Sequence, residues 1–357
     1  METLEPARQI RNRRFLWFVG AFSLLVGSFL LAAGYGAVEI SPDKSIAILL
    51  KQLGFDPPWS FSAKEELVLT AIRFPRACLA VLAGAALAIS GATLQGLFRN
   101  PLADPALIGV SNGAALAAVT VIVLGGTAAW LPYWFPHEFL LPVAAFGGGL
   151  VAVYTVYVLA GANGQTDVAT MLLGGVAITA IAGAGIGFLI FISDEQQLRD
   201  LNFWMLGGLG GVTWKSLIPA ACLILVGLVP LLFMSRFLNA MLLGEAEAHH
   251  LGFDVERTKR MIILLTALAT GATVAVTGVI GFVGLVVPHL VRLVTGPDHA
   301  AVLPLSVLTG ASLMLIADVV ARTIVLPAEL PIGILTACIG GPFFLWLLAR
   351  RRSTRGW

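Results

Sequence analysis

The sequence predicts an all-α polytopic membrane protein of ten transmembrane helices with both termini cytoplasmic. Three observations carry this. Of the 357 residues, 58% are hydrophobic, and the mean hydropathy is +0.92. Only 12% are charged, where a soluble domain carries about a quarter. The apolar residues also gather into ten stretches long enough to cross a hydrocarbon core of about 30 Å. This balance excludes a soluble enzyme, a disordered chain and a fibrous one. A net charge of +2 with no long basic run excludes a nucleic-acid surface.

The first stretch, 15–38, follows a basic tail over 1–14. It is longer than the about 7–15 residues of a signal-peptide apolar region, so an uncleaved first helix is expected. The second, 75–97, opens on Pro75, which suits the first turn of a helix. The segment between them, 39–74, could hold one short amphipathic helix around 45–53. The third runs over 105–124, after a turn bracketed by Pro101 and Pro105. There Asn100 and Asp104 can bond freed backbone groups. The fourth to sixth are 140–160, 168–192 and 217–237. A polar loop over 238–260 follows. The seventh and eighth, 261–277 and 279–294, meet at a short turn around Gly278. The ninth, 302–326, holds Asp318 and Arg322, and the tenth, 331–349, ends on a basic tail over 350–357. No soluble domain interrupts the series, so 1–357 reads as a single transmembrane domain.

Charge orients the series. Cytoplasmic termini gather 14 of the 22 Lys and Arg residues on the inner face. The terminal clusters flank the spans directly, so the positive-inside rule favours this arrangement. Small-xxx-small pairs at Gly84–Ala88, Gly183–Gly187 and Gly207–Gly211 are read as close helix contacts.

The chain lacks the marks of chemistry. Cys78, Cys222 and Cys338 lie in apolar runs and read as packing residues. No G-x-x-x-x-G-K-[ST], H-E-x-x-H or G-x-S-x-G occurs. No catalytic residue and no metal site is expected, and a membrane enzyme is disfavoured. Asp318 is the one deep acid, and Arg322, four residues later, can pair with it. A carrier driven by protons or sodium needs more intramembrane charge than this. A stand-alone secondary transporter or channel is the weaker alternative, and the energy source is expected in another subunit.

Four patterns remain. Arg73-Phe74-Pro75-Arg76 sits at the outer start of the second stretch, with both arginines able to face outward. Arg99-Asn100-Pro101-Leu102-Ala103-Asp104-Pro105 forms an inner turn. Gly244-Glu245-Ala246-Glu247-Ala248-His249-His250-Leu251-Gly252 reads as a short helix with a glycine stop. Gly278 to Arg292 contains Gly284-Leu285-Val286-Val287-Pro288-His289. Together they resemble the permease family of type II ABC importers for iron–siderophores, haem and cobalamin, over about 73–350.

The resemblance implies a type II ABC importer permease fold and a homodimer in a bacterial inner membrane. It implies two ATP-binding cassette subunits, which hold ATP and Mg, and a periplasmic substrate-binding protein. The cargo is expected to be haem, with a ferric siderophore or cobalamin as alternatives, and no cofactor stays on this chain. Arg73, Arg76 and Arg322 match the arginines that dock the binding protein. Glu245, Ala248, Leu251 and Gly252 match the ATPase-coupling helix. Asn100, Pro101, Leu102, Thr166, Val168, Ala169 and Thr170 match gate and pathway positions. His289 is tempting as a haem ligand, but its place in the motif implies a structural role. No role is assigned to His137.

Overall fold

A computed structural model describes residues 5–36, 40–52, 54–56, 59–125, 136–162, 165–325 and 327–354. Fifteen helices are described: α1 (Glu5–Gly34), α2 (Pro42–Gln52), α3 (Ala63–Leu67), α4 (Phe74–Leu97), α5 (Val110–Leu124), α6 (Leu140–Ala160), α7 (Val168–Ile192), α8 (Glu195–Leu206), α9 (Trp214–Leu232), α10 (Ser235–Met241), α11 (Glu245–His250), α12 (Val255–Thr277), α13 (Val283–Thr295), α14 (His299–Ala321) and α15 (Ile332–Thr354). Between α6 and α7 lies one antiparallel pair, β1 (Gly161–Ala162) and β2 (Gln165–Thr166).

Among the described residues, seven helical segments are long and apolar enough to cross a membrane: Arg13–Gly34, Ala63–Leu97, His137–Ala160, Val168–Ile192, Trp214–Leu232, Val255–Thr277 and His299–Ala321. Val110–Leu124, Val283–Thr295 and Ile332–Leu347 are shorter apolar helices. Each predicted stretch therefore falls on an apolar helix, but two start late. Residues 105–109 form a 3₁₀ turn ending at Gly109, whose φ is +84°, so α5 begins only at Val110. Residues 278–282 are not helical, and Phe282 takes a left-handed φ of 68°, so α13 begins only at Val283. The predicted stretch 217–237 is broken by a turn at Phe233–Met234 into α9 and α10.

The second stretch departs in the other direction. Pro75 does not start the helix. α3 and α4 are continuous through a π turn, Val68–Arg73. The wider turn fits just ahead of Pro75, whose ring and missing N–H disturb a regular ladder. The real start is Ser62, which accepts from the Glu65 N–H while Glu65 accepts from the Ser62 N–H. This is a capping box. A second capping box, Asp194 with Gln197, starts α8, an amphipathic helix that the apolar stretches did not reveal.

The core is built on α4, α12 and α14, which are buried along most of their length. α1, α6, α7 and α9 are buried along only a minor part of theirs. Two crossings explain the density around α4. Gly84 meets Gly310 of α14, and Gly91 meets Gly284 of α13, backbone against backbone; a Cβ at Gly84 or Gly91 would overlap the opposite carbonyl. Such close approach is the use of small residues in membrane helices. The other predicted pairs differ. A Cβ at Gly183 or Gly187 would meet nothing within 4 Å among the described residues, and Gly207 and Gly211 lie in a loop at positive φ.

Candidate functional site

Polar side chains collect at the two ends of the bundle. At one end α4 and α14 bring Arg76 and Asp318 together, 242 residues apart in sequence. Arg76 Nε donates to Asp318 Oδ1 at 2.8 Å. Its Nη1 donates to Glu329 Oε1 and Oε2 at 2.8 and 2.9 Å. Arg322 Nε lies 3.6 Å from Asp318 Oδ2, so the pairing expected from their spacing is present. Arg322 Nη2 also donates to the Ala32 carbonyl at 2.5 Å. Arg73 Nη1 donates to the Ala33 and Gly34 carbonyls, both at 2.7 Å.

The local charge is three arginines against two carboxylates. The last turn of α1 offsets the excess, because its terminal carbonyls lack partners within the helix and carry partial negative charge. The whole cluster is deeply placed: Asp318 is 1% exposed, Arg73 4%, Arg322 7% and Arg76 8%. The expectation of outward-facing arginines is thus corrected. The helix runs on from Arg73 back to Ala63, beyond the predicted start of the stretch. The ends of α1 and α14 and the segment around Glu329 close over the cluster. A cavity of about 440 Å³ reaches the cluster, lined by Arg76, Trp204, Gly208, Thr277, Glu329 and Pro331. The Glu329 side chain is 51% exposed at that cavity.

The opposite end holds α11 and the predicted gate. α11 lies between Gly244 and Gly252, with φ of +136° and +89°, and the predicted short helix with a glycine stop is present. Leu251 and Gly252 are exposed, and the Glu245 side chain is 43% exposed. Ala248 is completely buried, which corrects its assignment as a contact residue. It marks the face of α11 that packs on the core.

Asn100 Oδ1 accepts from the Leu102 N–H at 3.0 Å, and Asp104 Oδ1 from the Ala106 N–H at 2.9 Å. The turn is therefore stabilised as its residue types predict. Pro101 and Asn100 are half-buried and Leu102 is exposed. Thr166 is buried, Val168 packs on the core, and Ala169 and Thr170 are exposed. Asp167 caps α7 by accepting from the Thr170 N–H at 2.8 Å. The Thr170 hydroxyl, followed by that N–H, holds the Asp167 carboxyl below its ordinary value.

Three residues missed by the sequence reading organise this end. Lys259 Nζ donates to Glu245 Oε2 at 2.7 Å and to the Thr166 carbonyl at 3.4 Å. Glu256 accepts from the Thr166 N–H at 3.1 Å and from its hydroxyl. Asn239 joins α10 to α14, donating to Asp298 Oδ1 at 2.8 Å and accepting from the His299 N–H at 2.9 Å. Arg14 of α1 donates to Asp298 Oδ2 at 2.7 Å. The only available sequence signal was a charge just inside an apolar helix, as at Glu256 and Lys259, where spans are otherwise almost free of charge. His289 packs edge-on against the Phe343 ring, centroids 5.8 Å apart. His137 begins a 3₁₀ turn, His137–Phe139, ahead of α6.

Comparison with known proteins places this geometry. The FecCD transport family matches residues 24–350. The hemin transport system permease protein HmuU of Yersinia pestis is 47% identical over 305 residues, covering 85% of this chain and 90% of the relative. The cobalamin import system permease protein BtuC of Halobacterium salinarum is 45% identical over 303 residues, covering 84% and 78%. A solved metal-chelate type ABC transporter in an inward-facing conformation superposes with a TM-score of 0.78 at 30% identity, covering 94% of this chain and 99% of that one. The chain is a multi-pass membrane protein with the fold of an ABC permease, and it belongs to the FecCD transport family.

Proposed function

We propose that two copies of this chain form the pathway of an ATP-driven importer that carries haem into the cytoplasm. The observation that supports this best is the 47% identity to a hemin permease across most of both chains. Cobalamin is the second reading, favoured by the 45% identity to a cobalamin permease. In this reading the ten apolar helices all cross a bacterial inner membrane, and both termini are cytoplasmic. α5 and α13 each rise about 20 Å at 1.5 Å per residue. The non-helical segments ahead of them complete those crossings, which is tolerated where protein buries them.

The division of labour follows from what each end offers. Two ATPase subunits, holding ATP and Mg, seat on α11 through Glu245, Leu251 and Gly252. Asn100, Pro101 and Leu102, with Thr166, Val168, Ala169 and Thr170, form the cytoplasmic constriction. A periplasmic binding protein docks over the arginine end. Arg73 and Arg322 hold that end rigid from beneath. Arg76 reaches the binding protein through the cavity, where a docking carboxylate exchanges with Glu329. Charge at such a rim sets register and on-rate more than affinity. ATP binding and hydrolysis then shift the bundle between outward-open and inward-open states, moving mostly as rigid bodies.

The test is uptake into liposomes by the permease with its ATPase and binding protein, with haem and cobalamin in parallel arms. Haem accumulation without cobalamin accumulation supports the first reading. The reverse result replaces the cargo and keeps the mechanism. A ferric siderophore serves as the third arm.

A further inference from the structure

Lys259 is a buried cation in the second turn of α12, with its side chain 4% exposed. Nothing in the transport reading so far uses it. Its ammonium carries three donors and no acceptor. One meets the half-exposed carboxylate of Glu245 on α11 at 2.7 Å, and another meets the Thr166 carbonyl on β2 at 3.4 Å. Glu256 lies three residues earlier, on the same face of α12. It holds the other side of Thr166, through the amide and the hydroxyl. Thr166 is followed directly by Asp167, whose N–H donates to the Ala160 carbonyl at 3.1 Å and whose side chain caps α7.

These contacts make one continuous path: Glu245, Lys259, Thr166, Asp167, then the 25-residue helix α7. Among the described residues, the Lys259 pair is the one side-chain hydrogen bond or ion pair that joins α11 to the rest of the chain. Ala248 adds apolar packing against the core, which is not directional, and its carbonyl accepts from the Phe253 N–H at 3.2 Å.

We propose that Lys259 is a positioning residue that ties α11 to the segment ahead of α7, so that displacement of α11 by an ATPase moves the cytoplasmic constriction. This rests on the reading of α11 as the ATPase contact and of 165–170 as the constriction. Without the tether, α11 still seats the ATPase and still responds to nucleotide, but its motion no longer reaches Thr166. The two activities then separate.

The variants suit that separation. Lys259→Met keeps the aliphatic stem and its packing. The carboxylate it abandons, Glu245, is exposed enough to hydrate. Glu256→Gln weakens the second hold on Thr166, at a residue outside the α11 surface, by removing only a charge. Lys259→Arg keeps a cation in place.

The experiment uses the full permease–ATPase–binding-protein complex in liposomes, with haem as probe and cobalamin in a parallel arm. Uptake and ATP hydrolysis are measured on the same vesicles. Lys259→Met is expected to keep hydrolysis within about twofold and to lower uptake per ATP by about tenfold, a usual size for a coupling energy. Glu256→Gln is expected to move in the same direction, and Lys259→Arg to restore the wild-type ratio. Unchanged uptake per ATP in both Lys259→Met and Glu256→Gln overturns the proposal. So does an equal loss of hydrolysis and uptake in Lys259→Met beside a normal Glu256→Gln, since that marks a merely structural lysine. A wild-type complex with no ATP-driven uptake of either cargo defeats the underlying transport reading before any variant is compared, and this proposal with it.

Discussion

At the scale of single residues, the buried ion network at the arginine end makes the sharpest energetic claim. Asp318 has Arg76 at 2.8 Å and Arg322 at 3.6 Å. Removing one partner of a buried pair leaves an uncompensated charge and costs about 3–5 kcal/mol. Arg76→Ala should therefore lower the thermal midpoint of the purified permease clearly. Arg76→Ala with Asp318→Ala should be less damaging than the sum of the two single changes. Additive losses in that double-mutant cycle would contradict the pairing. A second test concerns Asp298. Burial pushes its carboxyl up, but Asn239, the Ala300 N–H and Arg14 outweigh that, and it ends below the ordinary value. A lowered carboxylate stabilises the fold above its unfolded pKa, and that contribution is lost as pH falls through the folded pKa. Acid melts below about pH 4, the usual carboxylate range, should therefore show a smaller pH dependence in Asp298→Asn than in the parent. Sequence could suggest Asp318 with Arg322, because four residues on one helix meet. It could not suggest Arg76 with Glu329, separated by 253 positions, nor the carbonyls of α1 that complete the site.

At the scale of elements, hydropathy located the apolar helices and local chemistry decided where each begins. Ser62 is the clearest case. As the N-cap of a capping box it should be worth about 1 kcal/mol. Ser62→Ala should raise amide exchange across Ala63–Leu67 and leave α4 protected. Protection unchanged at 63–67 would mean that packing, not the cap, holds α3. The crossing of Gly84 and Gly310 predicts a larger effect. Gly84→Val must push α4 from α14, and loss of folded, monodisperse permease in detergent chromatography is expected. Gly183→Val, at a glycine with nothing within 4 Å, should leave the monomer fold intact. The sequence reading treated both glycines alike, because spacing shows that a helix face is small but not whether another helix lies against it. Pro75 misled in a similar way. Proline marks either a helix start or a defect within a helix, and only the upstream Ser62-x-x-Glu65 separates the two. The non-helical 278–282 had no comparable signal beyond Gly278 and Gly281, since Phe282 is a residue type that seldom adopts positive φ.

At the scale of the whole molecule, the chain is a two-ended device. One end is a rigid arginine–carboxylate lattice with a small opening at Arg76 and Glu329. The other is a short helix, α11, joined by polar contacts to the segment ahead of α7. The all-helical membrane fold and the permease family were legible in the sequence because apolar length and motif order survive without coordinates. The burial of Arg73, Arg76, Arg322 and Ala248 was not, because it depends on segments distant in the chain closing over them. The central claim is that this chain conducts a chelate only when an ATPase drives it. The most direct measurement is chelate uptake into proteoliposomes holding the permease alone, the permease with its ATPase, and the full set with binding protein, each with and without ATP inside the ATPase compartment. Accumulation is expected in the full set with ATP and none with the permease alone. Uptake by the permease alone, driven by an ion gradient or by the chelate's own gradient, would contradict it.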